Sequence, residues 1–204
     1  MAGVQVGLRD LHYIKLKTDQ EVTKHDETGV EYDYGTDGTD KPKKIAGAIS
    51  ARISPSSNTA TLYADDGPDE VASSLDEITV ELNVKDLSLD VQADLLGHTV
   101  TSGVMYRSAD DVAPYVAIGF RSVKSNGKYR YVWLYKGKFN LPEQEYRTKE
   151  DTPEFQIPTI TGTFVKRIYD GAWQAVVDED DLDSDDPEID VSKWFDSVYE
   201  PPEV

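Results

Sequence analysis

The chain has no cysteine, which removes disulfides, thiolate nucleophiles and cysteine-ligated metal centres together. Histidine is nearly missing as well: His12, His25 and His98 are too scattered to suggest a zinc centre. No apolar run approaches the ~20 residues that a membrane-spanning helix needs. The opening segment, Met1-Ala2-Gly3-Val4-Gln5, couples no basic stretch to an apolar one. No secretory signal is therefore visible, and synthesis in a cytoplasm is expected. Base is scarce beside acid: 21 Lys and Arg stand against 39 Asp and Glu, a formal net charge of −18. Such a chain repels phosphate at close range. That disfavours sequence-specific DNA binding and suits a surface past which DNA slides without sticking.

Catalytic signatures are missing too. There is no G-x-S-x-G elbow, H-E-x-x-H pair, phosphate loop or dinucleotide fingerprint. Two distant carboxylates could still meet for glycoside hydrolysis, but with 39 acids a chance pair is uninformative. No catalytic, cofactor-binding or metal residue is assigned, and no enzyme is expected. The densest acidic run is Asp178 to Asp186; from Asp178 onward twelve acids face Lys193 alone, −11 of the chain's −18. An EF-hand loop started at Asp181 would put Asp186 at the turn glycine and Ser192 at the closing glutamate. The run 178–188 therefore reads as a solvated linker with at most weak calcium binding.

What is present is period-2 alternation, the mark of strands with one buried face. In Ile78-Thr79-Val80-Glu81-Leu82-Asn83-Val84 every even position is apolar. Ile45 to Ile53 reads as a second strand, with Ile45, Ile49 and Ile53 on one face and Arg52 on the other. Val116, Ile118 and Phe120 lead into Ser125-Asn126-Gly127-Lys128, and Tyr129 to Tyr135 returns. Asn-Gly there is the strongest short-range hairpin signal. Phe155 to Ile168 reads as a long strand and Ala172 to Val177 as a short one, with weaker strands at Leu11–Leu16, Ala60–Ala64 and Gly103–Arg107. One helix is expected, capped by Asp86 or Ser88, lined by Leu89, Val91, Leu95 and Leu96, and ended by Gly97. The fold class is mainly β: two packed antiparallel sheets, a sandwich or barrel, with one flanking α-helix.

Residues 1–177 would form this β-domain, and 178–204 an acidic C-terminal tail. Lys17 to Lys44 is polar, carries Gly29, Gly35 and Gly38, and is too long for an ordinary connection. It is either disordered alone or a binding arm. In the tail, Val191, Trp194, Phe195 and Val198 share a helical face behind Asp190. A short amphipathic helix near 190–199 would dock on this subunit or a neighbour. Tyr129, Tyr131, Trp133 and Tyr135 line one strand face, as core, intersubunit contact or sugar-stacking platform. Lys124, Lys128, Arg130, Lys136 and Lys138 gather around the hairpin, as a solvated rim or a patch for a partner's acids. His12 reads as a half-buried strand residue, and His98 as a cation at a helix C-terminus.

From about Leu75 to Ala175 the chain resembles the major tail (tail tube) protein family of long-tailed siphophages infecting Gram-positive bacteria. The carriers are Asp76-Glu77-Ile78-Thr79-Val80 through Leu95-Leu96-Gly97-His98, Asp111-Val112-Ala113-Pro114-Tyr115 through Phe120, Tyr131 through Phe139, and Thr148-Lys149-Glu150 leading to Ile160-Thr161-Gly162-Thr163-Phe164. The resemblance implies a structural subunit of the virion tail, in which six copies close into a ring. Rings stack around a tape measure protein, strands line a DNA channel, and no cofactor takes part. It also implies that the early loop, here Lys17–Lys44, reaches between rings, and that polar residues such as Glu81 suit the lining. A monomeric β-sandwich module, binding carbohydrate or a surface ligand through the aromatic hairpin, is the alternative.

Overall fold

The computed structural model describes residues 3–20, 29–64, 67–148, 157–182 and 189–201. Eleven strands and one α-helix follow in order: β1 (Gln5–Asp19), β2 (Val30–Tyr32), β3 (Lys43–Ile45), β4 (Ala48–Ala64), β5 (Gly67–Val84), α1 (Leu89–Leu96), β6 (Thr99–Thr101), β7 (Val104–Tyr106), β8 (Val116–Lys124), β9 (Tyr129–Phe139), β10 (Thr159–Phe164) and β11 (Gln174–Asp178). Nine strands make one antiparallel sheet in the order β2-β1-β8-β9-β10-β5-β4, with β3 joined to β1 and β11 to β9. The small β6–β7 hairpin forms a second sheet.

The long sheet has its principal core on one face and a second buried cluster on the other. Leu11 and Tyr13 of β1, Ile78, Val80, Leu82 and Val84 of β5, Ile118 of β8, Leu134 of β9, Ile160 and Phe164 of β10 all share one buried cluster with Leu95 and Leu96 of α1. The division of the sheet happens on β9, whose residues 130–134 pair with β11 and 137–139 with β10. A mainly β body of one large and one small antiparallel sheet, with a flanking helix, is in keeping with the alternation pattern.

Local chemistry explains the elements that begin and end sharply. The Ser88 hydroxyl accepts the Val91 N–H at the start of α1, and Gly97 closes it at φ 78°. The β8–β9 turn is a three-residue loop, with the Gly127 N–H donating to the Lys124 carbonyl and φ 84° at Gly127. A side chain at that φ is disfavoured, which is why glycine follows Asn126.

Several strands differ from the sequence expectation. Ile45 to Ile53 is not one strand: Gly47 (φ 73°) separates β3 from β4, and a register shift at Ala48/Ser50 leaves Ile45 buried but Ile49 49% exposed. β1 extends well beyond Leu11–Leu16, because a bulge at Asp10 (φ 51°) absorbs one residue against β8. β10 covers only Thr159–Phe164; Phe155 lies outside the described residues. After Phe164 the chain leaves the ladder, and the Arg167 N–H turns back to the Ala172 carbonyl. Lys17–Lys44 is not a free arm where it is described. β2 lies back on β1 with Leu16 opposite Tyr32, and β3 with Leu11 opposite Ile45.

Candidate assembly surface

The most conspicuous feature is the β4–β5 hairpin. β10 accompanies β5 only from Ile78 to Asn83. Beyond that point, Pro55–Ala64 and Gly67–Glu77 pair with each other alone among the described residues. At ~3.3 Å per residue the projection reaches about 30 Å. Among the described residues the outer edge of β4 has no partner strand, which is why Pro55, lacking an N–H, is tolerated there.

Its register carries a further consequence. Pro55 faces Ile78, but Ser57 faces Leu75, so β5 takes three steps where β4 takes two. This bulge at Asp76–Glu77 switches parity. Val71, Ser73 and Leu75 thereby continue the side on which Ile78, Val80 and Leu82 face the core, joined by Ser57, Thr59 and Thr61 of β4. That side is uncharged, with Val71 62% and Leu75 40% exposed. The core-facing side of the sheet thus runs out into solvent.

The opposite side of the sheet is hydroxyl-rich. Thr161, Glu81 and Arg52 form one cross-strand row, Thr163, Thr79 and Ser54 another, and Thr159, Asn83 and Ser50 a third. The Asn83 amide donates to the Ser50 hydroxyl and accepts from Thr159. Glu81 faces away from the core, as the alternation implies.

Residues singled out for chemistry fall elsewhere. Tyr131, Trp133 and Tyr135 are buried, in a second cluster with Ile14, Tyr32, Trp194 and Val198. They are core, and a sugar-stacking platform on this face is ruled out. What covers them is the C-terminal segment, which makes only one 3-10 turn (Val191–Lys193, capped by Asp190) rather than a helix over 190–199. The basic cluster is no solvated rim. Lys124 bonds Asp178 and Asp180, Arg130 bonds Asp178, and buried Lys136 bonds buried Asp19 at 2.5 Å. Lys138 instead stands over the Tyr115 ring. Arg130 and then Lys124 hold the Asp178 carboxyl down at about 2 despite its partial burial. Asp178 and Asp180 are thereby engaged with bases; 183–188 lie outside the described residues.

His12 is half-buried and stacks on Phe195 at 4.5 Å. His98 bonds the Asp111 carboxylate at 2.6 Å rather than serving the helix end alone. The cleft between β1, β3 and α1, about 620 Å³, is lined by Tyr13, Lys43, Asp90, Asp94 and His98. Asp94 is already bound by Tyr13, Lys15 and Lys43, so no free acid–base pair is built around it. Of the distal hairpin the sequence shows as a strand only the weaker Ala60–Ala64, which falls in β4. The hairpin's other traces were the charge-free run Ile53 to Ala64 and the alternation of Val71, Ser73 and Leu75.

The described residues thus present an antiparallel sheet with long strand edges that have no partner strand among them. Residues 4–192 match the model of the phage tail tube protein family, and the chain belongs to that family. It is a structural component of the bacteriophage tail, and the family is not one of enzymes. No curated protein matches the chain. Among the described residues no helix is long and apolar enough to cross a membrane.

Proposed function

We propose that six copies of this chain close into a ring, and that rings stack around a tape measure protein into the DNA-conducting tube of a siphophage tail. The observation that carries this is the projecting hairpin. It offers unpaired backbone edges and an uncharged side bearing Val71 and Leu75, both of which a monomer leaves in water. A ring of identical subunits satisfies every such edge in a head-to-tail contact that closes. The hydroxyl-rich side with Thr159, Thr161, Thr163, Glu81 and Asn83 suits a channel lining: it offers DNA polar contacts but, with Arg52 beside Glu81, little net positive charge.

The test is negative-stain electron microscopy across a concentration series, on the wild type and on Val71→Asp/Leu75→Asp. Both side chains are exposed, so the double variant should keep its fold within about 0.5 kcal/mol. It should nonetheless form no tubes, or need at least about tenfold more protein to do so. Tubes formed equally well by the variant would reject the hairpin contact. A wild type that stays monomeric throughout would reject intrinsic self-assembly.

A further inference from the structure

Residues 189–201 form a strap whose Trp194 and Val198 are buried in the second cluster. Beyond its own 3-10 turn, its backbone is held by side chains of the body and by no strand ladder. The buried Trp133 indole donates to the Trp194 carbonyl at 3.0 Å, the Tyr135 hydroxyl donates to the Tyr199 carbonyl at 2.9 Å, and the Tyr34 hydroxyl accepts the Val198 N–H at 3.0 Å. None of its residues belongs to the principal core. Docking also carries penalties. The Trp194 indole N–H is buried with no partner, and burial pushes the Glu200 carboxyl above its usual range even beside Arg167.

The strap also grips the connection between β1 and β3. Tyr34 takes the Val198 amide, Lys41 pairs with Asp196 at 2.7 Å, and buried Arg167 bonds both Glu200 (2.8 Å) and the Tyr32 hydroxyl (3.3 Å). β2 contributes only three ladder pairs of its own. We propose that the strap is an autoinhibitory clasp: it pins residues 29–41 to the body and must lift before that segment engages a neighbouring copy. The gating half of this proposal rests on the tube reading; the coupling half does not. Coupling between two docked segments is reciprocal, so loosening either one loosens the other.

Amide hydrogen exchange on the full chain tests the coupling. In Trp194→Ser/Val198→Ser, the strap amides and those of Asp33 and Asp40, which bond the Lys15 and Tyr34 carbonyls, should exchange at least about tenfold faster. Amides of β5 and β8 should be unchanged. Tyr34→Phe should in turn speed the Val198 amide. A loosened strap with Asp33 and Asp40 still protected would overturn the coupling; equal acceleration in β5 and β8 would make the strap part of the core and overturn the clasp. Microscopy of the same variants then tests the gate. Tubes at about tenfold lower concentration than the wild type support it, and an unchanged threshold refutes it. If neither protein forms tubes, the tube reading and the gate fall together, while the exchange result still decides the coupling.

Discussion

Gly137 lies on β9 where the sheet divides, opposite Val116 on one side and Phe164 on the other. A Cβ built there would sit 2.3–2.5 Å from three ring atoms of Phe164. Non-bonded carbons prefer roughly 3.5–4.0 Å, so the ring would have to retreat by more than ~1 Å. It has nowhere to go: Phe164 is fully buried and meets Phe139 edge-on at 5.8 Å. Overpacking of this kind costs roughly 1–3 kcal/mol, and a clash with three atoms of a rigid ring places Gly137→Ala at the upper end, about 3 kcal/mol. For a chain of this length that lowers the Tm by about 6–12 °C. Phe164→Leu alone should cost about 1.5 kcal/mol. In that background the added methyl has room, and Gly137→Ala should cost less than about 1 kcal/mol, leaving a coupling of ~2 kcal/mol. The assay is urea unfolding followed by tryptophan fluorescence, at concentrations below assembly. Additivity of the two substitutions within about 0.5 kcal/mol would refute the reasoning.

Lys136→Met leaves the Asp19 carboxylate, 96% buried, with only the Ile168 and Tyr169 N–H groups. It should cost about 3 kcal/mol in the same assay, much of it recovered by adding Asp19→Asn; a cost below about 1 kcal/mol would show the pair to be dispensable. Asp178 has a folded-state pKa of about 2, below its ordinary value of 3.8. Its contribution is therefore complete above the unfolded pKa and lost as pH falls through about 2. The carboxyl carbon chemical shift, followed from pH 6 downward, should show that late titration, and a midpoint near 4 would contradict the clamp by Arg130 and Lys124.

What was legible in the sequence is what short-range chemistry dictates. Ser88 and Gly97 delimit α1, Asn126-Gly127 turns the central hairpin, and the alternation from Ile78 to Val84 places Glu81 away from the core. Where tertiary pairing decides, the sequence was mute. The bulge at Asp10 lengthens β1, and Gly47 splits what a stretch of isoleucines suggests is continuous. Lys124 and Lys136 look like a solvated rim because their acids, Asp180 and Asp19, lie 56 and 117 residues away. All of the distal hairpin but Ala60–Ala64 is hidden for a different reason. A strand pair with neither face buried has no hydrophobic period to read, and its run of serine and threonine resembles a loop. The tail pattern at Val191, Trp194, Phe195 and Val198 was read as a helix, but those residues are apolar because they fill a groove.

The bulge at Asp76–Glu77 adds a residue to β5 without changing which way the hairpin faces. Deleting one residue at the bulge would set two steps of β5 against the two of β4, so Leu75 would stay opposite Ser57 and Val71, Ser73 and Leu75 would keep their side. Removing one cross-strand pair beyond it would shorten the reach and turn every more distal side chain to the other side, bringing Ala72 and Glu70 where Ser73 and Val71 had been, whereas removing two pairs would shorten the reach and keep the facing. Reach and facing are thus coupled through parity: an odd number of pairs turns the tip, and an even number keeps it. A series of paired deletions, read out as the width and repeat of any particles formed, would show whether a ring tolerates a shorter spoke as long as its phase is kept.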